Sequence, residues 1–147
     1  MKKIENIELT FLTQDDYQEL KKAMIESYTT MPNSYWKEHQ IDSLISRFPD
    51  GQVVIKVNNQ IAGCALSIIV DYSKISKHHT YQEITGDYTF NTHTDSGDML
   101  YGIDVFIKPE FRGLRLGRRL YDYRKDLCEK LNLKGVAFGG RIPNYHK

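Results

Sequence analysis

One stretch constrains this chain more than any other. Met99-Leu100-Tyr101-Gly102-Ile103-Asp104-Val105-Phe106-Ile107 has the composition of a strand, and Lys108-Pro109-Glu110 closes it. Residues 111–117 then carry glycines and arginines directly into an amphipathic helix. Leu116, Leu120, Leu127 and Leu131 recur there at helical spacing, with Tyr123 or Tyr121 completing the stripe. Arg118–Asp122 and Asp126–Lys130 are i,i+4 pairs on the other side. A strand, a Gly/Arg turn and a helix start, in that order, make an anion site. The first turn of a helix has N–H groups without intrahelical acceptors and a partial positive charge, and glycine admits a ligand close to that backbone. Arg112, Arg115, Arg118 and Arg119 add guanidinium forks that match phosphate oxygens, so a pyrophosphate is the natural guest. The plainer alternative is a solvated basic helix start beside an ordinary turn. A Walker loop is excluded because no Gly-Lys-Ser/Thr follows, and no Gly-x-Gly-x-x-Gly follows the first strand.

The rest of the pattern surrounds that element with a mixed α/β domain. Residues 7–11 alternate apolar and polar as a half-buried strand, and Thr13 with Asp15 and Asp16 opens a helix carrying Tyr17, Leu20, Ala23 and Met24. Met31-Pro32-Asn33-Ser34 breaks it; a second helix has Ile41, Leu44, Ile45 and Phe48 on one face and ends at Pro49-Asp50-Gly51. Residues 52–57 and 61–70 read as a hairpin around Asn58-Asn59-Gln60, and the second of these strands is apolar throughout, as a central strand is. A last strand covers 136–138. At 147 residues the chain is one domain, 1–147, with a long insertion at 71–98 that is either a substrate-side loop or a mobile one.

Composition removes several functions. With 20 basic against 19 acidic residues and net charge +1, a general nucleic-acid binder is not expected. His78, His79 and His93, near Asp87, Asp95 and Asp98, match no zinc spacing, so no metal is expected and these are read as solvated loop histidines. Tyr72, Tyr81, Tyr88 and Phe90 either wall an acceptor site or pack the loop onto its own domain. Cys64 and Cys128 are read as buried, reduced thiols. No apolar run approaches the ~20 residues of a membrane span, and no signal-peptide core opens the chain, so a cytoplasmic location is expected.

At the turn the sequence resembles the GNAT family of acetyl-coenzyme A-dependent N-acetyltransferases. The family's turn is Gln/Arg-x-x-Gly-x-Gly/Ala; Arg112 fills the first position and Gly117 the last, while Arg115 replaces the middle glycine. The element order, the strand ending Val105-Phe106-Ile107-Lys108-Pro109 and Arg141-Ile142-Pro143-Asn144 also fit. Residues 63–72, 88–93 and 139–146 resemble the GNAT domain of a bacterial group in which it is fused N-terminally to a carbon–nitrogen hydrolase (nitrilase-like) domain. The resemblance implies the GNAT fold, with the last helix and two strands beyond Lys147, and hence a fragment or N-terminal half. It implies acetyl-coenzyme A as the cofactor, held by Val105, Phe106, Ile107, Arg112, Gly113, Leu114, Arg115, Leu116, Gly117, Arg118 and Asn144. A primary amine, small or peptidic, would attack the thioester directly, with Asp104 as base or structural cap and Tyr101 as a second site-facing group. The alternative is a non-catalytic domain that binds coenzyme A or an acyl-coenzyme A and regulates a larger hydrolase. Association through the C-terminal edge, 135–147, is a further expectation, as is a fused hydrolase partner.

Overall fold

The computed structural model describes residues 6–27, 35–71, 73, 89, 90 and 92–138. The alternating segment near the start forms β1 (Ile7–Phe11), and a 3-10 turn (Gln14–Asp16) leads into α1 (Tyr17–Ser27). Thr13 is the N-cap as expected, and the helical run opens as that 3-10 turn before becoming α-helical at Tyr17. Asp16 is the reason: its carboxylate accepts the Thr13 N–H at 3.0 Å, and Asp16 N–H donates to the Thr13 carbonyl, which winds the entry tighter than an α-turn. Then come α2 (Glu38–Arg47), a 3-10 turn (Pro49–Gly51), β2 (Val53–Val57), β3 (Gln60–Val70), β4 (Met99–Ile107), a 3-10 turn (Pro109–Phe111), α3 (Leu116–Lys130) and β5 (Gly135–Phe138).

The five strands lie in the order β1-β2-β3-β4-β5, antiparallel except for the parallel pair β4–β5. Asn58 (φ 52°) and Asn59 (φ 67°) supply the two positive-φ residues of a primed hairpin turn, so the loop is two residues long and Gln60 already belongs to β3. Just before β2 starts, the buried Gln52 side chain continues the pairing to β3: its amide donates to the Ser67 carbonyl at 2.7 Å and accepts the Ser67 N–H at 3.0 Å.

Helices cover both faces of the sheet. Leu20 and Met24 of α1 and Ile41 and Leu44 of α2 bury one face against Leu66, Ile68, Tyr101 and Ile103. On the other, Leu116 and Leu120 of α3 pack on Val53, Ile55 and Ala65, and Leu127 packs on Ile69 and Leu100. Leu131 lies beyond the helix end and is only half-buried. Of the insertion, residues 72, 74–88 and 91 lie outside the described residues, and with them His78, His79, Tyr72, Tyr81, Tyr88 and Asp87. Its described end packs inward. Phe90 is fully buried against Trp36, and His93, expected in solvent, stacks on Phe48 with ring centroids 5.0 Å apart and accepts the Ile69 N–H on Nδ1. Cys64 and Cys128 are buried and free, and burial pushes both thiols up.

Candidate functional site

In a regular strand, residues three apart face opposite sides. Tyr101 and Asp104 are three apart and share a side. The cause is a β-bulge: the β3–β4 register runs from Val70↔Met99 to Ser67↔Gly102 and resumes at Leu66↔Asp104, leaving Ile103 as an extra residue. Beyond it the parity reverses, so Phe106 joins the cluster under α1 and α2 while Val105 and Ile107 turn toward α3. Asp104 thereby meets Trp36, whose Nε1–H donates to Oδ2 at 3.0 Å; Oδ1 accepts the Val105 N–H at 2.9 Å. Trp36 is held in turn, because its carbonyl accepts the Tyr17 hydroxyl at 2.8 Å and its ring lies 5.5 Å from Phe90. Asp104 is 1% exposed and Tyr101 4%. Burial pushes the Tyr101 phenol up to about 12, so at neutral pH it is a neutral hydroxyl that can give a proton but not take one.

On its other edge β4 pairs with β5 from Met99↔Gly135 to Gly102↔Phe138 among the described residues. Arg124 reaches the bulge from the α3 side. Its Nη2 donates to the Leu66 carbonyl at 2.8 Å and to the Asp104 carbonyl at 2.9 Å, a guanidinium 3% exposed between two registered strands. Lys108 anchors the strand's end. Its N–H donates to the Ala62 carbonyl, and its ammonium pairs with Glu26 on α1 at 3.1 Å and Glu110 at 3.4 Å. Burial works against the charged Lys108, but those two carboxylates more than offset it and its pKa rises.

The turn that follows is open on its outer side. Arg112 is exposed and donates from Nε to the Ile107 carbonyl at 3.3 Å; Gly113 has φ +92°. Arg115, the N-cap of α3, has φ 60° and ψ 28°, the left-handed backbone that glycine favours. Leu114 is half-buried and Leu116 is 1% exposed, so their side chains fasten the turn to the core and leave only their backbones to a ligand. A Cβ built at Gly117 meets nothing within 4 Å. Arg118 and Arg119 are exposed, and Arg118 Nε lies 3.4 Å from Asp122 Oδ1. The α3 N-terminus, with its N–H groups, faces this surface. Asn144 lies outside the described residues. No group of three His, Cys, Asp or Glu among the described residues is placed to hold a metal, and none of their helices is long and apolar enough to cross a membrane.

Sequence reasoning reached the turn and missed Trp36, Gln52 and Arg124. A signal existed for two of them. Trp36 is the chain's single tryptophan, and Arg124 falls four residues after Leu120 and four before Cys128, on the buried stripe of its helix.

Comparison with known proteins places the geometry. Residues 17–146 match the model of the acetyltransferase (GNAT) family. A probable hydrolase of Bacillus subtilis (strain 168), YhcX, is 40% identical over 112 residues, covering 76% of this chain and 22% of its own length. The chain thus spans about a fifth of that relative. Among solved structures, the loading GNATL domain of CurA from Lyngbya majuscula has a TM-score of 0.78 at 21% identity, covering 96% of this chain and 68% of that one. The GphF GNAT-like decarboxylase in complex with isobutyryl-CoA has a TM-score of 0.67 at 15% identity, with 79% and 56% covered.

Proposed function

We propose, from the premise that this chain belongs to the acetyltransferase (GNAT) family, that it binds acetyl-coenzyme A on the 112–118 turn and transfers the acetyl group to a primary amine. The observation that carries this reading is the left-handed backbone of Arg115, which keeps a glycine-like turn around the helix start despite the side chain. The pyrophosphate then lies against the N–H groups of Leu116, Gly117 and Arg118, with Arg112, Gly113, Leu114 and Arg115 around it. The pantetheine arm follows the backbone of Val105, Phe106 and Ile107 beyond the bulge. Asn144 completes the coenzyme site.

The amine nitrogen attacks the thioester carbon, the C–S bond breaks, and the coenzyme leaves as a thiolate that needs a proton. Asp104 takes the proton lost by the attacking nitrogen, directly or through water, and Tyr101, a neutral phenol, supplies the thiolate. The test is calorimetry with acetyl-coenzyme A, followed by thiol release against an amine panel in wild type and Asp104→Asn. Micromolar binding, with turnover lost in the variant, is expected; absence of coenzyme binding overturns the reading. A run with isobutyryl-coenzyme A, the ester named with the GphF relative, reports whether the acyl pocket is wider than acetyl requires.

A second reading is a coenzyme-binding domain without turnover that regulates a larger hydrolase. The 40% identity to a stretch of YhcX, of which this chain spans 22%, favours it. Binding without thiol release for any amine would decide for it. The outer edge of β5 is a candidate pairing edge for a second copy, and light scattering across a concentration series reads it.

A further inference from the structure

The buried Arg124 has no place in the transfer chemistry, yet it sits at the bulge of β4. It projects from α3, whose N-terminus forms the anion turn, and its Nη2 bonds the carbonyls of Leu66 and Asp104 on adjacent strands. A buried guanidinium is costly to desolvate, and a bulge leaves carbonyls whose ladder bonds are displaced; the two needs meet here. Nine residues of helix, roughly 13 Å at 1.5 Å per residue, separate Arg115 from Arg124. One rigid body therefore holds the phosphate end of the site at one point and the β4 kink at another. Beyond that kink lie Val105, Phe106 and Ile107, the backbone proposed for the pantetheine arm.

We propose that Arg124 is a positioning residue that locks the bulge of β4 to α3, fixing the spacing between the anion turn and the strand that receives the acyl arm. This rests on the coenzyme-binding reading above. Its distinguishing property is that it acts on the extended ligand and not on the phosphates alone. The nucleotide end of the coenzyme meets only the turn, and the turn's backbone is set by Gly113, Arg115 and the side chains of Leu114 and Leu116. The arm must meet turn and strand together, and a misplacement of an ångström between two such sites is strongly felt.

Two variants test it. Arg124→Met keeps the stem and loses both bonds; Arg124→Lys keeps a charge and can reach one carbonyl. By calorimetry, Arg124→Met is expected to weaken coenzyme A at least tenfold while 3′-phospho-ADP, the nucleotide fragment, stays within twofold of wild type, and Arg124→Lys to recover part of the loss. Equal weakening of both ligands, or none, overturns the proposal. Where Arg124→Met fails to fold, Arg124→Lys alone carries the comparison, with a smaller but still ligand-selective loss expected. Amide exchange on the ligand-free protein keeps this distinct from the functional reading. Arg124→Lys should speed exchange at 103–105 and leave the β1–β2 pair as in wild type. Uniform acceleration, or no change at 103–105, overturns the positioning role, whereas failure of wild type to bind coenzyme A overturns only the functional reading.

Discussion

The outer turn and the buried face of β4 lie a few residues apart and are built on opposite plans. At the turn, glycines and a left-handed arginine expose backbone, and space stands open over Gly117. Under α1 and α2, Tyr17, Trp36 and Asp104 form a hydrogen-bonded series with almost no exposure. One region leaves backbone open, and the other is packed and hydrogen-bonded; on the proposed reading the first receives the coenzyme and the second fixes Asp104. Substitutions should therefore separate affinity from stability.

Removing the tryptophan donor gives the largest stability effect. Trp36→Phe leaves the buried Asp104 carboxylate one hydrogen bond short, at a cost of about 1.5–3 kcal/mol beyond lost packing. Chemical denaturation should show this as a lower midpoint with an unchanged slope; an unchanged midpoint would mean that the Trp36–Asp104 bond adds nothing. At the turn, Gly117→Leu should do the reverse. A Cβ there meets nothing within 4 Å and Leu is the better helix former, so the denaturation midpoint should not fall, while coenzyme affinity falls tenfold or more, about 1.4 kcal/mol. A Gly117→Leu protein that binds as wild type does breaks the comparison.

Smaller effects sharpen it. Arg115→Gly relieves a left-handed side-chain conformation, worth about 1 kcal/mol, but gives back part of that in chain entropy. The expected net gain is about 0.5 kcal/mol by thermal unfolding, and a destabilised variant would contradict it. The last test uses pH. The folded protein holds the Tyr101 proton to about 12, whereas an unfolded tyrosine releases it near 10.0. Between those values the native state binds more protons than the unfolded state, so stability falls as pH rises through that window. Tyr101→Phe should flatten this part of the profile, and an unaltered profile would assign the fall to other groups.

Most of the frame was legible in the amino acids. Strand composition and helical spacing located β4 and α3 almost to the residue, and the paired asparagines located the hairpin. The open turn at the start of α3 was legible because Gly113 and the exposed arginines around it mark a loop that leads into a helix. The bulge was not. Ile103 is an ordinary strand residue between Gly102 and Asp104, so its own identity does not mark it as bulged rather than paired, and the face of every later β4 residue depends on it. Trp36 was hidden for a related reason, since its partner Asp104 is 68 residues away and no local pattern announces the pair. His93 was misplaced because histidine composition is silent about burial, and the Ile69 N–H that it accepts and the Phe48 ring that it stacks on settle where it goes.

The two-asparagine hairpin also carries a consequence for timing. The β2–β3 pair is joined by that turn alone, so its ends meet by local closure on a scale of roughly 1–10 μs. β1 joins the same sheet from far upstream, with Asn6 N–H donating to Asn58 Oδ1 across 52 residues. Contacts that distant pay their loop entropy before any reward arrives, and slow a chain accordingly. The hairpin is therefore expected to form early, with the first strand docking later. A slip at its tip would delay assembly of the whole sheet, even though neither asparagine touches the site.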